Sequence, residues 1–423
     1  MRIGVLTLVV LAVATASPAA AAPLAEIETG LNTRFELAGD RLLMWAEAEG
    51  TLTVREPDGS QRVVYRARRF KGQQSMIADV AATDARMAIR TEGWDAVTEG
   101  GREWMSLRVG PFDGPYALAG GREGGGLDFG PEAIGFSPAG LVVSSVDGSL
   151  RHTLELRPAD GSAPVRLGAG AEQIAVNGRF VATRTHTHVA AFDLEARRRI
   201  ARIAAGSDPG SGAAPAGISA SGTLVYIDAR DRLWAGRRKL LDHVPKVVRV
   251  VGERAYVVQR LRTSPFETLD RLVALDLAGG AQQPLTAALT DPQFFTDGTR
   301  LLYTEPGPCV YYGDLPAAAP DRAPTGRCAR QALRFDVTER HRRPRVRMWV
   351  TCPGGSADRC TGTARLTSKG RRLGRWRFSV PGGTGTTHVM KVKLRRGPRR
   401  QVARLRITGS PMRPITRRIV FLR

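Results

Sequence analysis

The 423-residue chain has little of what site chemistry usually needs. It carries six histidines and four cysteines. There is no C-x-x-C, and no histidine stands at ligand spacing from a cysteine pair, which argues against a structural zinc centre. No G-x-S-x-G elbow occurs, and serine and aspartate are too frequent to mark a triad, so no nucleophile is anchored. No segment holds apolar residues at three- and four-residue spacing over a dozen positions, which argues against a helical fold. Beyond the first two dozen residues nothing is long and apolar enough to span a bilayer. Acidic side chains nearly vanish from one end. Residues 330–423 hold 26 Lys+Arg against 3 Asp+Glu, a net of +23, whereas residues 1–329 hold 37 of each and balance. That break predicts a domain boundary near residue 330, and about 400 residues exceed what one core usually holds.

What is present begins with a leader. Met1-Arg2 is followed by the apolar run Ile3 to Ala14 and then by Ser17-Pro18-Ala19-Ala20-Ala21-Ala22. This is the layout of a secretory signal, with cleavage expected near Ala22. The run falls short of the ~20 residues that a span requires, and no cysteine follows it to take a lipid. The expected product is secreted or extracellular, with association with the cell wall as an extension of that reading. Four cysteines in an exported chain predict two disulfides. Three pairings exist, and proximity favours Cys309 with Cys328 and Cys352 with Cys360.

Seven short phrases recur between residues 38 and 303, each a small or polar turn leading into an apolar strand. They are Ala38-Gly39-Asp40-Arg41-Leu42, Thr83-Asp84-Ala85-Arg86-Met87, Ser137-Pro138-Ala139-Gly140-Leu141, Val176-Asn177-Gly178-Arg179-Phe180, Ser219-Ala220-Ser221-Gly222-Thr223-Leu224, Val251-Gly252-Glu253-Arg254-Ala255 and Thr296-Asp297-Gly298-Thr299-Arg300-Leu301. Their mean period is about 43 residues, the length of one four-stranded propeller blade. Asp58-Gly59-Ser60 and Asp160-Gly161-Ser162 lie between strand-like runs and read as hairpin turns, because Gly and Asp tolerate the positive φ that tight turns demand. They lack the alternating carboxylates of a calcium loop. Glu195 to Ile203 reads as a turn and an outer strand rather than a lone helix. Leu24 to Thr33 is expected to supply the strand that closes the ring. Trp94 to Trp104, Gly120 to Gly126 and Gly206 to Gly217 stand out as insertions, and in repeat folds such insertions collect on one binding face.

From Arg334 onward seven stretches are strand-like, and many of them alternate apolar residues with Arg or Lys, the period-two mark of half-buried strands. Seven short strands in about 94 residues predict a small two-sheet sandwich. The fold class expected for the whole chain is therefore all-β: a propeller of about seven blades over residues 24–330, after a signal at 1–22, and a basic sandwich over 331–423.

The repeated phrase resembles the TolB-like and WD40-like propeller repeat, in which a Ser-Pro-Asp-Gly turn precedes an apolar strand. Ser137-Pro138-Ala139-Gly140 and Thr296-Asp297-Gly298 come closest to it, and the second and sixth copies depart from it. The tail is similar to the Ig-like domains of secreted actinobacterial proteins, through Cys352-Pro353-Gly354-Gly355 and Cys360-Thr361-Gly362-Thr363. Neither family carries a fixed catalytic set, so the resemblance implies no catalytic residue and no cofactor.

Two local clusters are candidates for chemistry. His186 and His188 would point to one face of a strand, close enough to share a metal, and the competing reading is two exposed histidines. Arg342, Arg343, Arg345, Arg371, Arg372, Arg395, Arg396, Arg399 and Arg400 form basic runs suited to a polyanion, against the competing reading of a solvated surface. The function expected is a non-catalytic exported binding or scaffolding protein. Its propeller loops would meet a protein or glycan at the envelope, and its basic domain an anionic polymer. The alternative is a propeller hydrolase or lyase with its site at the channel mouth.

Overall fold

In a computed structural model, the described residues are 24–28, 33–46, 50–67, 73–95, 103–121, 130–147, 151–171, 173–185, 188–204, 217–262, 268–304, 309–320, 334–338, 340–341, 345–392, 400–410 and 412–422. They are all-β. Among them there is no helix, and so none long and apolar enough to cross a membrane. The leader at 1–22 lies outside the described residues.

The chain opens with β1 (Ala25–Glu28) and then builds four-stranded antiparallel sheets in order. The first holds β2 (Thr33–Ala38), β3 (Arg41–Ala46), β4 (Thr51–Arg55) and β5 (Gln61–Arg66). The second holds β6 (Gln73–Ala82), β7 (Arg86–Asp95), β8 (Glu103–Pro111) and β9 (Ala117–Gly121). The third holds β10 (Pro131–Ser137), β11 (Gly140–Val146), β12 (His152–Pro158) and β13 (Val165–Ala169). The fourth holds β14 (Gln173–Asn177), β15 (Phe180–Arg184), β16 (His188–Asp193) and β17 (Arg198–Ala204). The fifth holds β18 (Gly217–Ile218), β19 (Leu224–Ile227), β20 (Leu233–Ala235) and β21 (Arg238–Leu241). The sixth holds β22 (Lys246–Val251), β23 (Arg254–Arg262), β24 (Thr268–Asp276) and β25 (Gln282–Pro284). The last holds β26 (Gln293–Thr296), β27 (Arg300–Thr304), β28 (Cys309–Asp314) and, as its outer strand, β1.

Every phrase found in the sequence is the turn between the first and second strands of one sheet. In three copies the loop is two residues long, with the glycine first and φ near +57°: Gly39 before Asp40, Gly178 before Arg179 and Gly252 before Glu253. That backbone suits the twist of the strands it joins. The second copy has no glycine. There the Thr83 hydroxyl accepts the N–H groups of Ala85 and Arg86 instead, which is why the phrase is faint in the sequence yet present in space.

The sheets form a closed ring. The first strands touch in succession, β2 to β6 to β10 to β14 to β18 to β22 to β26, and β26 touches β2. Each neighbouring pair of sheets buries its own apolar cluster. Between the first and last sheets it is Phe35, Leu37, Leu42 and Met44 against Leu302 and Val310. The phrases bind one another at one end of the ring. Arg41 donates to the Asp84 carbonyl, Arg300 to that of Gly39, and Ala220 N–H to that of Gly252. β1 pairs with β28 from Ala25↔Tyr312 to Glu28↔Cys309, so the chain's start completes the sheet its seventh phrase begins. This is the arrangement of a β-propeller.

The remaining strands are β29 (Arg334–Val337), β30 (Arg340–His341), β31 (Arg345–Cys352), β32 (Arg359–Ser368), β33 (Arg371–Pro381), β34 (Thr384–Lys391), β35 (Arg400–Ser410) and β36 (Met412–Leu422). They form a three-stranded sheet, β29-β31-β34, and a five-stranded sheet, β30-β36-β35-β32-β33. Both face one core that includes Val346, Met348, Val350, Leu366, Phe378, Leu405, Ile407 and Phe421. Each such side chain, fully buried, contributes about 1.5–3 kcal/mol. Among the described residues none before Phe335 belongs to that core or packs against it. One short bridge ties it to the ring: Gly354 N–H donates to the Ala288 carbonyl at 2.7 Å and Ala288 N–H returns the bond at 3.2 Å.

Cys352 and Cys360 form a disulfide, both buried in this core. Cys328 lies outside the described residues, and of Cys309 only the backbone position, at the start of β28, is described. Closing so short a loop restrains the unfolded chain by about 2.5 kcal/mol. Replacing both Cys352 and Cys360 with Ala is expected to lower stability by that amount without changing the ring. Chemical denaturation followed separately at ring and tail tryptophans measures it, and an equal loss in both would contradict separate cores.

Candidate functional site

The first strands of the sheets wall an axial channel. One cavity of about 410 Å³ is lined by residues of β2, β6, β10, β14, β18 and β22. On one side the wall is apolar, with Ile134, Ile174, Val176 and Ile218. On the other it carries three charged groups: Glu36 of β2, Asp79 of β6 and Arg249 of β22.

Local irregularities aim two of these. The register of β6 slips between Ile77 and Asp79, and that of β22 between Val247 and Arg249. Each is a β-bulge, and a bulge rotates the residue that follows it relative to a regular strand. Asp79 and Arg249 are those residues. Glu36 meets Arg249 across the channel, with Nη1 to Oε1 at 3.4 Å, although the two lie 213 residues apart.

The carboxylates are crowded. Burial pushes the Glu36 carboxyl above its usual range, with Arg249 and the Leu37 N–H pulling back. Burial likewise raises Asp79 from 3.8 to about 6; Arg90 opposes that rise, the Glu36 charge adds to it, and the Val80 N–H, donated at 3.0 Å, opposes it again. Burial disfavours the charged form of an acid, so Asp79 holds a proton into a range where an ordinary aspartate has lost it. Arg34 reaches over from β2 and donates to the Ala78 carbonyl at 2.9 Å, fixing the strand just before Asp79.

A second cavity of about 630 Å³ opens where the first strands begin. Arg34, Glu36, Asp79, Lys246, Arg260, Asp270, Gln293 and Phe295 help line it. Arg260 pairs with buried Asp270 at 3.2 Å. Lys246 stands 5.7 Å over the Phe295 ring, and burial lowers its pKa. The two cavities share Glu36 and Asp79. Together they offer a polar mouth leading to a half-apolar channel with two carboxyls that burial makes harder to ionise. Such a site can grip a ligand that has both hydrogen-bonding and apolar faces.

The sequence candidates fall elsewhere. His186 lies outside the described residues. His188 begins β16 and meets Arg202, with Nη2 to Nδ1 at 3.3 Å, a cationic neighbour that disfavours a metal there. Among the described residues no three His, Cys, Asp or Glu side chains gather to hold a metal. Of the arginine runs, Arg342, Arg343, Arg395, Arg396 and Arg399 lie outside the described residues. Arg345 is exposed on β31, Arg371 and Arg372 on the start of β33, and Arg400 on the start of β35. They share no single strand. Trp376 and Phe378 pack in or against the tail's core, with Trp376 stacked on His388 at 4.7 Å.

Glu36, Asp79 and Arg249 were missed because each is alone in the sequence. One signal does exist: Glu36, Ala175 and Arg249 each stand three residues before the glycine of their phrase, and all three line the channel. The second copy has no glycine to count from, so the rule does not reach Asp79.

No family model matches the chain, and no curated protein matches it. Among solved structures it is similar to BamB from Moraxella catarrhalis, at 12% identity over 70% of this chain and 99% of that one, with a TM-score of 0.38. It is also similar to the WD40 domain of SCAP from fission yeast, at 9% identity over 66% and 82%, TM-score 0.36. A streptogramin B lyase matches at 9% identity over 69% and 98%, TM-score 0.40. Likenesses this faint carry no argument for what the chain does.

Proposed function

We propose that this chain is an exported binding protein. In this reading residues 24–330 are a seven-bladed propeller that takes a ligand at its axial mouth, and residues 331–423 are a basic Ig-like sandwich working near the cell envelope. The observation that carries it is that the polar mouth and the strand ends flanking the insertions share one end of the ring. The phrases occupy the other end. The strands flanking the insertions, β7 into β8, β9 into β10 and β17 into β18, turn at the end where the first strands begin. Arg34, Lys246 and Gln293 stand at that end too. The buried Cys352–Cys360 disulfide supports the compartment, because such bonds persist where the surroundings oxidise.

The test is direct titration of the full chain with soluble envelope glycan fragments. Binding is expected to weaken at least tenfold (about 1.4 kcal/mol) in Arg34→Ala and Lys246→Ala. Glu253→Gln, at the phrase end, is expected to leave it unchanged. Equal losses from both ends would overturn the proposal.

Asp79 supports a second reading, a hydrolase or lyase, since a carboxyl that titrates near 6 beside a second carboxyl is suited to proton transfer. Turnover of a fragment that disappears in Asp79→Asn would favour that reading over simple binding.

A further inference from the structure

The outer face of the five-stranded sheet holds an arrangement that no run in the sequence displays. Seven arginines stand out from it: Arg365 on β32, Arg372, Arg375 and Arg377 on β33, Arg404 and Arg406 on β35, and Arg418 on β36. All are exposed. Pairing sets them in rows across the strands. Arg375, Arg365 and Arg406 form one row, Arg365 lying directly opposite both others. Arg372, Thr367, Arg404 and Arg418 form the next. Arg377, Thr363 and Thr408 form a third. The sequence spreads these arginines over more than fifty residues, and only the antiparallel register brings them together.

Like charges directly opposite on paired strands are destabilising. Here nothing offsets them, since no acidic residue follows Asp358 and, among the described residues, none of the seven pairs with a carboxylate. The Arg375 pKa is lowered chiefly by the charge of Arg377, then by partial desolvation, with the charges of Arg365 and Arg372 adding to it. The inner face of the same sheet is a well-filled core. A fold that packs this sheet well yet sets cation against cation on its outside keeps that array at a cost to stability, which marks it as a surface for a partner.

We propose that this face binds a flexible phosphodiester polymer along the arginine rows. A guanidinium offers a planar fork that matches phosphate oxygens two at a time. Neighbouring strands are about 4.8 Å apart and alternate residues along a strand about 6.8 Å apart, close to the charge spacing of an extended phosphodiester chain. Thr363, Thr367, Thr408 and Thr416 place hydroxyls between the cations. No aromatic residue of β32, β33, β35 or β36 lies on this face, since Trp376, Phe378 and Phe421 all turn to the core. Bases would therefore find no stacking platform, and recognition is by backbone charge. A flat membrane fits less well: adjacent strands twist by about 20–25°, so four strands turn through about 70° and only a strip meets a plane. A flexible chain follows that turn. The proposal deepens the envelope role given above and rests on it only for the compartment.

The experiment measures binding of the full chain to poly(glycerol phosphate), to a thirty-nucleotide thymidine strand and to phosphatidylglycerol vesicles, each across a salt series. Both soluble polymers are expected to bind. The logarithm of affinity should fall with the logarithm of salt by about 0.7 for each phosphate engaged. In the triple variant Arg365→Thr, Arg375→Thr, Arg406→Thr that slope is expected to flatten by about two, with affinity at low salt down about a hundredfold. The matched triple Arg198→Thr, Arg199→Thr, Arg202→Thr on β17 is expected to bind as the parent does. Replacing the first three with Lys keeps charge but not the fork, and an intermediate affinity is expected. Thr suits a strand, so the first triple should melt no lower than the parent, and a lower Tm would overturn the strained-array argument. Equal losses in both triples, vesicle binding without polymer binding, or no salt dependence would each overturn the proposal. Glu36→Gln is expected to leave polymer binding intact, so failure of the channel reading and failure of this one remain distinct.

Discussion

Replacing Gly140 with alanine is expected to lower stability by about 4 kcal/mol or more, among the largest effects of any single substitution in the ring. Two costs add. The first is conformational, because Gly140 has φ +142°, a region that side chains rarely adopt. The second is steric: a Cβ there would lie 2.1 Å from the Arg157 carbonyl oxygen, 2.8 Å from Pro158 Cα and 2.9 Å from Ala159 N. All three are backbone atoms, of β12 and of the residue that follows it, and cannot swing aside. Relief requires β11 to move from β12, and β11 carries Leu141, Val142 and Val143, all buried. Gly178→Ala is the control. Its φ is +57°, but nothing lies within 4 Å of the added Cβ, so it bears only the strain of the left-handed region, about 1–2 kcal/mol. Thermal unfolding of the two variants checks this, with a fall of about 10 °C expected for Gly140→Ala. Equal effects would mean that the contact with β12 yields and that steric exclusion is not what requires glycine.

That position also shows how much of the fold was legible. The phrase Ser137-Pro138-Ala139-Gly140 could be read because a tight turn restricts which residues it accepts, and the restriction is local. The same holds for seven of the eight tail strands, where one buried face forces alternation; β30, only two residues long, shows no such pattern and was missed. β1 was legible for a different reason: a ring must close, and the stretch after the leader was the piece left to close it. The channel was not legible. Glu36, Asp79 and Arg249 converge from β2, β6 and β22, and two of them owe their aim to bulges, which are decisions of register rather than of local composition. The arginine face failed to appear for the same reason. Contiguous runs such as Arg371-Arg372 catch the eye, but in a strand adjacent residues point to opposite faces. The cations that assemble are alternate ones, Arg375 with Arg377 and Arg404 with Arg406. Net charge led to the expectation of a basic tail, and only pairing tells which of its faces gathers the arginines.

The second large effect lies in the channel. Asp79→Asn is expected to stabilise the protein at pH 7.5 by up to about 3 kcal/mol and to lose that advantage by pH 4. The sign follows from protons. In the unfolded chain Asp79 ionises near its ordinary 3.8; in the native channel it ionises at about 6. Between those values the native state keeps a proton that the unfolded state has released, so the parent's stability falls as pH rises through that window. A tenfold difference in proton affinity between the two states is worth about 1.4 kcal/mol. Above pH 6 the whole cost is present; below pH 4 both states are protonated and it is gone. Asparagine carries no charge to bury, and its curve should be flatter. Glu36→Gln tests a lesser contribution beside burial: removing the neighbouring charge should move the parent's inflection to lower pH, because Glu36 is among the groups that raise Asp79. Urea unfolding at half-unit steps from pH 4 to 7.5 measures both. An Asp79→Asn difference that does not change across that range would mean that the carboxyl is ordinarily solvated. The expected result, a carboxylate that weakens the ring whenever it is charged, is a reason to look for its use in the ligand proposed for the channel.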